Sequence, residues 1–212
     1  MKIREIFQEP IDRPIEEVIK VDQVNEAVVY EELREYIPTA AIQRHFRDVL
    51  EAINASRSEP TEGIGVWVSG FFGSGKSSFA KVLGYILAQR TVMGQSASAL
   101  FRSRLTDDRL KNLLDLVNRT MPFTVVMFDI ATDRAVRTGR ENVSEIMYRA
   151  LLRTLGYAED PDLAELEIAL EGEGRLEEFK ARFRELHGKE WDERKHLIAF
   201  ALNEASAVMH DL

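Results

Sequence analysis

The chain has 212 residues, enough for one domain or one domain with an arm, and its 45% hydrophobic and 30% charged residues exclude a wholly disordered chain. A net charge of -8 argues against a broad basic face for nucleic acid, though not against a local basic patch. With no cysteine, disulfides and thiolate metal sites are excluded, and His45, His187, His196 and His210 are too far apart for a compact motif. No apolar run of the signal-peptide kind follows Met1-Lys2-Ile3-Arg4 and no stretch reaches the length of a membrane span, so the expected setting is cytoplasmic, with no membrane contact.

Residues 1–25 carry scattered apolar positions broken by Pro10 and Pro14, which reads as an arm with a short strand near Glu17 to Val21. From Asn25 to Tyr36 the spacing of Val28, Val29, Leu33 and Tyr36 is helical. After Pro38, Thr39 is placed to cap a second helix with Ile42, Phe46, Val49, Leu50 and Ile53 on its apolar face. Asn54 to Gly63 reads as a loop. The run Ile64-Gly65-Val66-Trp67-Val68-Ser69 predicts a buried strand, and Phe79, Val82, Leu83, Ile86 and Leu87 predict a helix after it. Gly94 to Ser98 reads as a loop, Leu105 to Val117 as a helix stopped by Met121-Pro122, and Phe123 to Phe128 as a second strand. Helices are expected over 141–155, from Asp162 to Leu170, and around Leu176, Phe179, Phe183 and Leu186. A stop is expected at His187-Gly188, with a last helix from Trp191 almost to Leu212.

These elements predict an α/β fold with a parallel sheet, incomplete at the C-terminus, plus helical segments. The expected division is an N-terminal arm with helices over 1–60, a nucleotide-binding core over 61–158 and an acidic helical segment over 159–212. Two buried strands need parallel neighbours and helices on both faces, so the reading implies a piece of a longer protein.

Gly70-Phe71-Phe72-Gly73-Ser74-Gly75-Lys76-Ser77 satisfies the phosphate-loop pattern G-x-x-x-x-G-K-[ST] between the first strand and the following helix. Gly70 turns the chain, and Gly73 and Gly75 permit backbone shapes that a side chain would obstruct. The amides of the loop, Ser74 among them, can then converge on an anion at the positive end of a helix. Lys76 supplies a mobile charge for the β- and γ-phosphates, the Ser77 hydroxyl is placed to ligate Mg²⁺, and Ser78 can add a hydrogen bond to phosphate oxygen. The implied cofactors are ATP and Mg²⁺. Phe71 and Phe72 are read as packing residues.

Hydrolysis normally needs an acid at the end of an apolar strand to organise the metal. Asp129 is the candidate, and it is followed by Ile130 instead of a second acid. Either Asp129 is that acid, catalytic alongside Lys76, or its strand is an intermediate one and the acidic pair lies beyond Leu212. Arg134, Arg137 and Arg140 read as an arginine finger, a subunit contact or a solvated basic loop. Tyr36-Ile37-Pro38 reads either as a cover over adenine, a role such segments fill in ATPases of the additional-strand type, or as simple packing at a helix end. The acidic run Glu159 to Glu178 reads as a solvated face, and Trp191 with Leu197, Ile198, Phe200 and Leu202 as core or domain interface.

The opening Met1 to Phe7, Asp12-Arg13-Pro14-Ile15, Val18 to Gln23 and above all Ile64 to Ser77 together resemble the large ATPase of bacteriophage-exclusion (BREX) defence systems, the BrxC or PglY family. Val125 to Asp133 is similar to the strand and turn that follow the loop helix there, and the acidic half is similar only loosely. Members of that family are several times longer. The resemblance implies an ATPase of the AAA-like kind, built on a P-loop NTPase core, that acts with other defence components, including a DNA methyltransferase, to block phage DNA replication; a homo-oligomer is also expected. It carries Gly70, Gly73, Gly75, Lys76 and Ser77 over as nucleotide ligands. Ser78 stands where the family has histidine and Asp129 where it has asparagine, the second favouring an intermediate strand. A nucleotide-gated sensor without turnover and a small-molecule kinase are the alternative readings.

Overall fold

Short polar side chains open the first helices of the chain, whose computed structural model describes residues 25–59, 65–130 and 142–211. Asn25 accepts from the N–H groups of Ala27 and Val28 and starts α1, Glu26–Glu35. Thr39 accepts from Ile42 N–H and starts α2, Ala40–Ala55, as its sequence predicts. Helix α3, Lys76–Leu87, follows the glycine-rich loop. Next comes a minimal hairpin of β1, Thr91–Val92, and β2, Gln95–Ser96, paired antiparallel with Thr91 opposite Ser96 and Val92 opposite Gln95. Its turn, Met93-Gly94, has positive φ at both residues, the geometry that matches the twist of two-residue hairpins. The loop expected over Gly94 to Ser98 is therefore half hairpin and half helix: Ser96 caps α4, Ala97–Ser103. Asp107 caps α5, Asp108–Thr120.

The chain gathers into two compact units, Met1–Phe123 and Thr124–Leu212, and the core expected over 61–158 spans that division. In the first unit α2 packs on α5, and α1 and α3 pack on α4. Phe46 is the hub: its ring lies 4.4 Å from that of Phe79 and 4.7 Å from that of Phe101, and all three are buried. Gln43, also buried, ties the connections together. Its amide nitrogen donates to Pro38 O at 2.7 Å, and its oxygen accepts from the N–H groups of Thr106 and Asp107, each at 3.0 Å.

The second unit holds α6, Val143–Leu155, opened by the reciprocal pair of Asn142 and Glu145, and α7, Pro161–Gly172, capped by Asp160 with proline at its start. Then follow α8, Leu176–His187, the single turn α9, Trp191–Arg194, and α10, Ile198–Asp211. Gly188, in the left-handed conformation, stops α8 where His187-Gly188 predicts it. The expected continuous last helix is instead broken between α9 and α10. Leu163, Leu170, Phe179, Phe183, Trp191, Ala201 and Val208 form one buried cluster, with Trp191 edge-on to both phenylalanines at 5.1 Å.

The parallel-sheet α/β core is not what folds. Among the described residues the only sheet is the two-stranded antiparallel hairpin, and the architecture is helix on helix. A strand exists only through a ladder to a neighbour, and among the described residues neither the predicted strand before the loop nor the one at 123–128 has one. Residues 65–69 are irregular and exposed, with Trp67 91% accessible where burial is expected; Ile64 lies outside the described residues. Residues 123–128 are also unpaired and only partly buried. The arm over 1–24 lies outside the described residues as well. Among the described residues no helix is long and apolar enough to cross a membrane.

Candidate functional site

The loop Gly70–Ser77 turns directly into α3, and its conformation follows from its glycines. Gly73 and Gly75 have φ of 75° and 85°, the left-handed region that side-chain-bearing residues enter only at a cost. Gly70 serves a different purpose. A Cβ there would meet Ser74 Oγ at 2.7 Å, so a side chain at that position would force the Ser74 hydroxyl to move. The Phe71 carbonyl is the loop's internal anchor, accepting from Ser74 N–H at 3.2 Å and from the Lys76 ammonium at 2.8 Å.

Gly75 is the N-cap of α3 and offers no side-chain oxygen to the helix start. The first α3 bond back to the loop is Phe79 N–H to Gly75 O at 2.9 Å. The donors of Lys76, Ser77 and Ser78 thus belong to the group of first-turn amides that a helix cannot satisfy itself. They stand at the positive end of a 12-residue helix. Gly70–Gly75 and Ser77 are exposed, while Lys76 and Ser78 are half-buried. Lys76 is held by one surface carbonyl, a contact that a charged oxygen ligand can replace. The donor set suits an anionic oxygen ligand: open amides, an ammonium, and the Ser74, Ser77 and Ser78 hydroxyls. Phe71 and Phe72 do not pack; both are almost fully exposed at the loop tip.

Beside the loop lies a cavity of about 350 Å³. The end of α1 and the residues after it contribute Glu32, Glu35, Tyr36 and Ile37 to its wall, and α3 contributes Ser78, Lys81 and Val82. Tyr36 turns its ring toward Phe46 and Phe101, at 6.3 and 6.1 Å, and burial pushes its phenol up to about 12. Pro38, buried and held through its carbonyl by Gln43, fixes the path of Tyr36-Ile37. The structure thus brings Tyr36-Ile37 to the same cavity as Ser78. Glu32 and Lys81 were not singled out in the sequence, and Val82 was read only as an apolar position of the helix; the helical spacing of Ser78, Lys81 and Val82 after the loop is the signal that could have placed the last two in the site.

Of the remaining candidates, Asp129 belongs to the second unit, whereas Lys76 and Ser77 belong to the first. Asp129 is half-buried in an irregular segment and ends no strand. Arg134, Arg137 and Arg140 lie outside the described residues. Among the described residues no group of three or more histidine, aspartate or glutamate side chains is arranged to hold a metal ion. No protein-family model and no solved structure matches this chain.

Proposed function

We propose that this chain binds Mg-ATP through Gly70–Ser77 and serves as the nucleotide-binding module of a BREX-type ATPase. One observation carries the reading: two left-handed glycines and an uncapped helix start leave the amides at the head of α3 open beside Lys76. In this reading the amides of Gly73 and Gly75 and the first turn of α3 cradle the polyphosphate, and the Lys76 ammonium leaves Phe71 O for phosphate oxygen. The Ser77 hydroxyl is the chain's own ligand to Mg²⁺, a hard cation that takes oxygen donors. When bound, the triphosphate supplies the phosphoanhydride whose cleavage would drive conformational change.

The tract from Gly65 to Ser77 supports the family assignment more than a bare phosphate loop would. The resemblance implies a cytoplasmic assembly of several copies with other defence components, a DNA methyltransferase among them, and ATP turnover as its driving step. Equilibrium titration of the chain with Mg-ATP tests the site. Lys76→Ala removes a charge-assisted phosphate contact and should weaken binding by about 1.5–3 kcal/mol. Unchanged affinity in that variant contradicts the assignment.

A further inference from the structure

The cavity beside the loop contains an acceptor that the fold leaves unused. Lys81 Nζ, on a residue only 1% exposed, donates to Glu32 Oε1 at 2.7 Å and lies 5.9 Å from the centroid of the Tyr85 ring. This ion pair fixes the Glu32 carboxylate. Its second oxygen, Oε2, is buried and has no hydrogen-bond partner. A buried carboxylate oxygen without a donor is costly, so a ligand that brings one gains more than an ordinary surface hydrogen bond. The Ile37 and Val82 side chains make other parts of the wall apolar. A slot with apolar walls at Ile37 and Val82, a fixed acceptor at Glu32 and a second carboxylate, Glu35, in its lining suits a flat ring that carries a donor, and the volume falls in the range of small-molecule sites.

Position completes the argument. Ser78 is adjacent to Ser77 in the chain and lines the cavity, and Lys81 and Val82 lie one helical turn further, about 5 Å along α3. A triphosphate seated on the loop therefore has its nucleoside end within reach of this cavity. We propose that the cavity is the nucleobase subsite and that Glu32 Oε2 accepts a hydrogen bond from the exocyclic amine of adenine. Guanine and hypoxanthine carry a carbonyl oxygen at the same ring position, which would set acceptor against acceptor. Lys81 is a positioning residue in this scheme. The inference rests on the reading of Gly70–Ser77 as a triphosphate site.

The test is equilibrium binding of ATP, ITP, GTP and inorganic tripolyphosphate, each with Mg²⁺, to the whole chain. ATP should bind more tightly than ITP and GTP by about tenfold or more, and more tightly than tripolyphosphate. Ile37 is exposed, so Ile37→Ala should fold normally; it should weaken ATP several-fold and leave tripolyphosphate unchanged. Glu32→Gln should erase the preference for ATP over ITP, because the amide can present a donor to the carbonyl. If ATP, ITP and tripolyphosphate bind alike, or GTP binds best, the base subsite is wrong while the phosphate loop stands. If tripolyphosphate and every nucleotide fail to bind, the loop reading and this inference fall together.

Discussion

Lys195, the C-cap of α9, and Glu167 of α7 form a buried ion pair at 3.1 Å in the second unit. Both are nearly inaccessible, at 4% and 1% exposure. Glu167 also accepts from Trp191 Nε1 at 2.8 Å and from Ala158 N–H at 2.6 Å, and Lys195 also donates to Gly156 O at 2.6 Å and Asp192 at 2.9 Å. Every donor and acceptor of the pair is thus engaged, the condition under which a buried charge is tolerated.

Removing one partner should therefore be costly. Glu167→Ala leaves the Lys195 ammonium, Trp191 N–H and Ala158 N–H without their acceptor, and should destabilise the second unit by about 3–5 kcal/mol. Urea unfolding followed by Trp191 fluorescence, in a Trp67→Phe background, measures it. A loss below about 1 kcal/mol would mean that the pair is solvated and not buried.

Acid should weaken the same unit. Glu204 is held below the usual carboxylate range chiefly by its hydrogen bonds from Arg194, two contacts of 2.6 Å each. Burial works to raise Asp192, but hydrogen bonds from Lys195 and Lys180 outweigh it, and its carboxyl is also lowered. A carboxylate lowered on folding contributes stability above its unfolded value, about 4, and that contribution fades as pH falls through the lowered folded value. Stability measured from pH 6 downward should fall in this window, and Glu204→Gln should flatten the slope. An unchanged slope in that variant would remove Glu204 from the account.

Gln43 links the core of the first unit to the candidate site. Gln43→Leu leaves Pro38 O and the N–H groups of Thr106 and Asp107 without their partner, and should cost about 1–3 kcal/mol. Because Pro38 follows Ile37, ATP affinity should fall in the folded variant while tripolyphosphate binding persists. Chemical denaturation and titration of both ligands check the two halves. Equal losses for both ligands would place the effect outside the base cavity.

Much of the helical pattern was legible because it is written locally. Thr39 caps α2 and Gly188 ends α8 where the sequence places them, while the caps at Asn25 and Asp160 follow the same pattern of a short polar residue before apolar periodicity without having been read. The glycines and the lysine of the loop were legible for the same reason. The strands were not, because a short β-branched run specifies an extended segment but not the neighbour that makes it a strand. Val66, Trp67 and Val68 fit a buried strand by composition and lie exposed. Charge misled in the opposite direction at Glu167, read as solvated within an acidic run. Its spacing with Leu163, Ala164 and Leu170 places it on the apolar stripe of α7, and the partner that makes burial tolerable is 28 residues away. The cavity was illegible because Glu32 and Lys81 meet only through folding, 49 residues apart in the chain.

The central claim is that the amides at the head of α3 receive polyphosphate, and amide-resolved NMR during a Mg-ATP titration tests it most directly. The resonances of Gly73 through Ser78 should shift together, saturate at one ligand per chain, and stay still in Lys76→Ala at the same concentrations. Saturable shifts confined to other residues, or none at all, would contradict it.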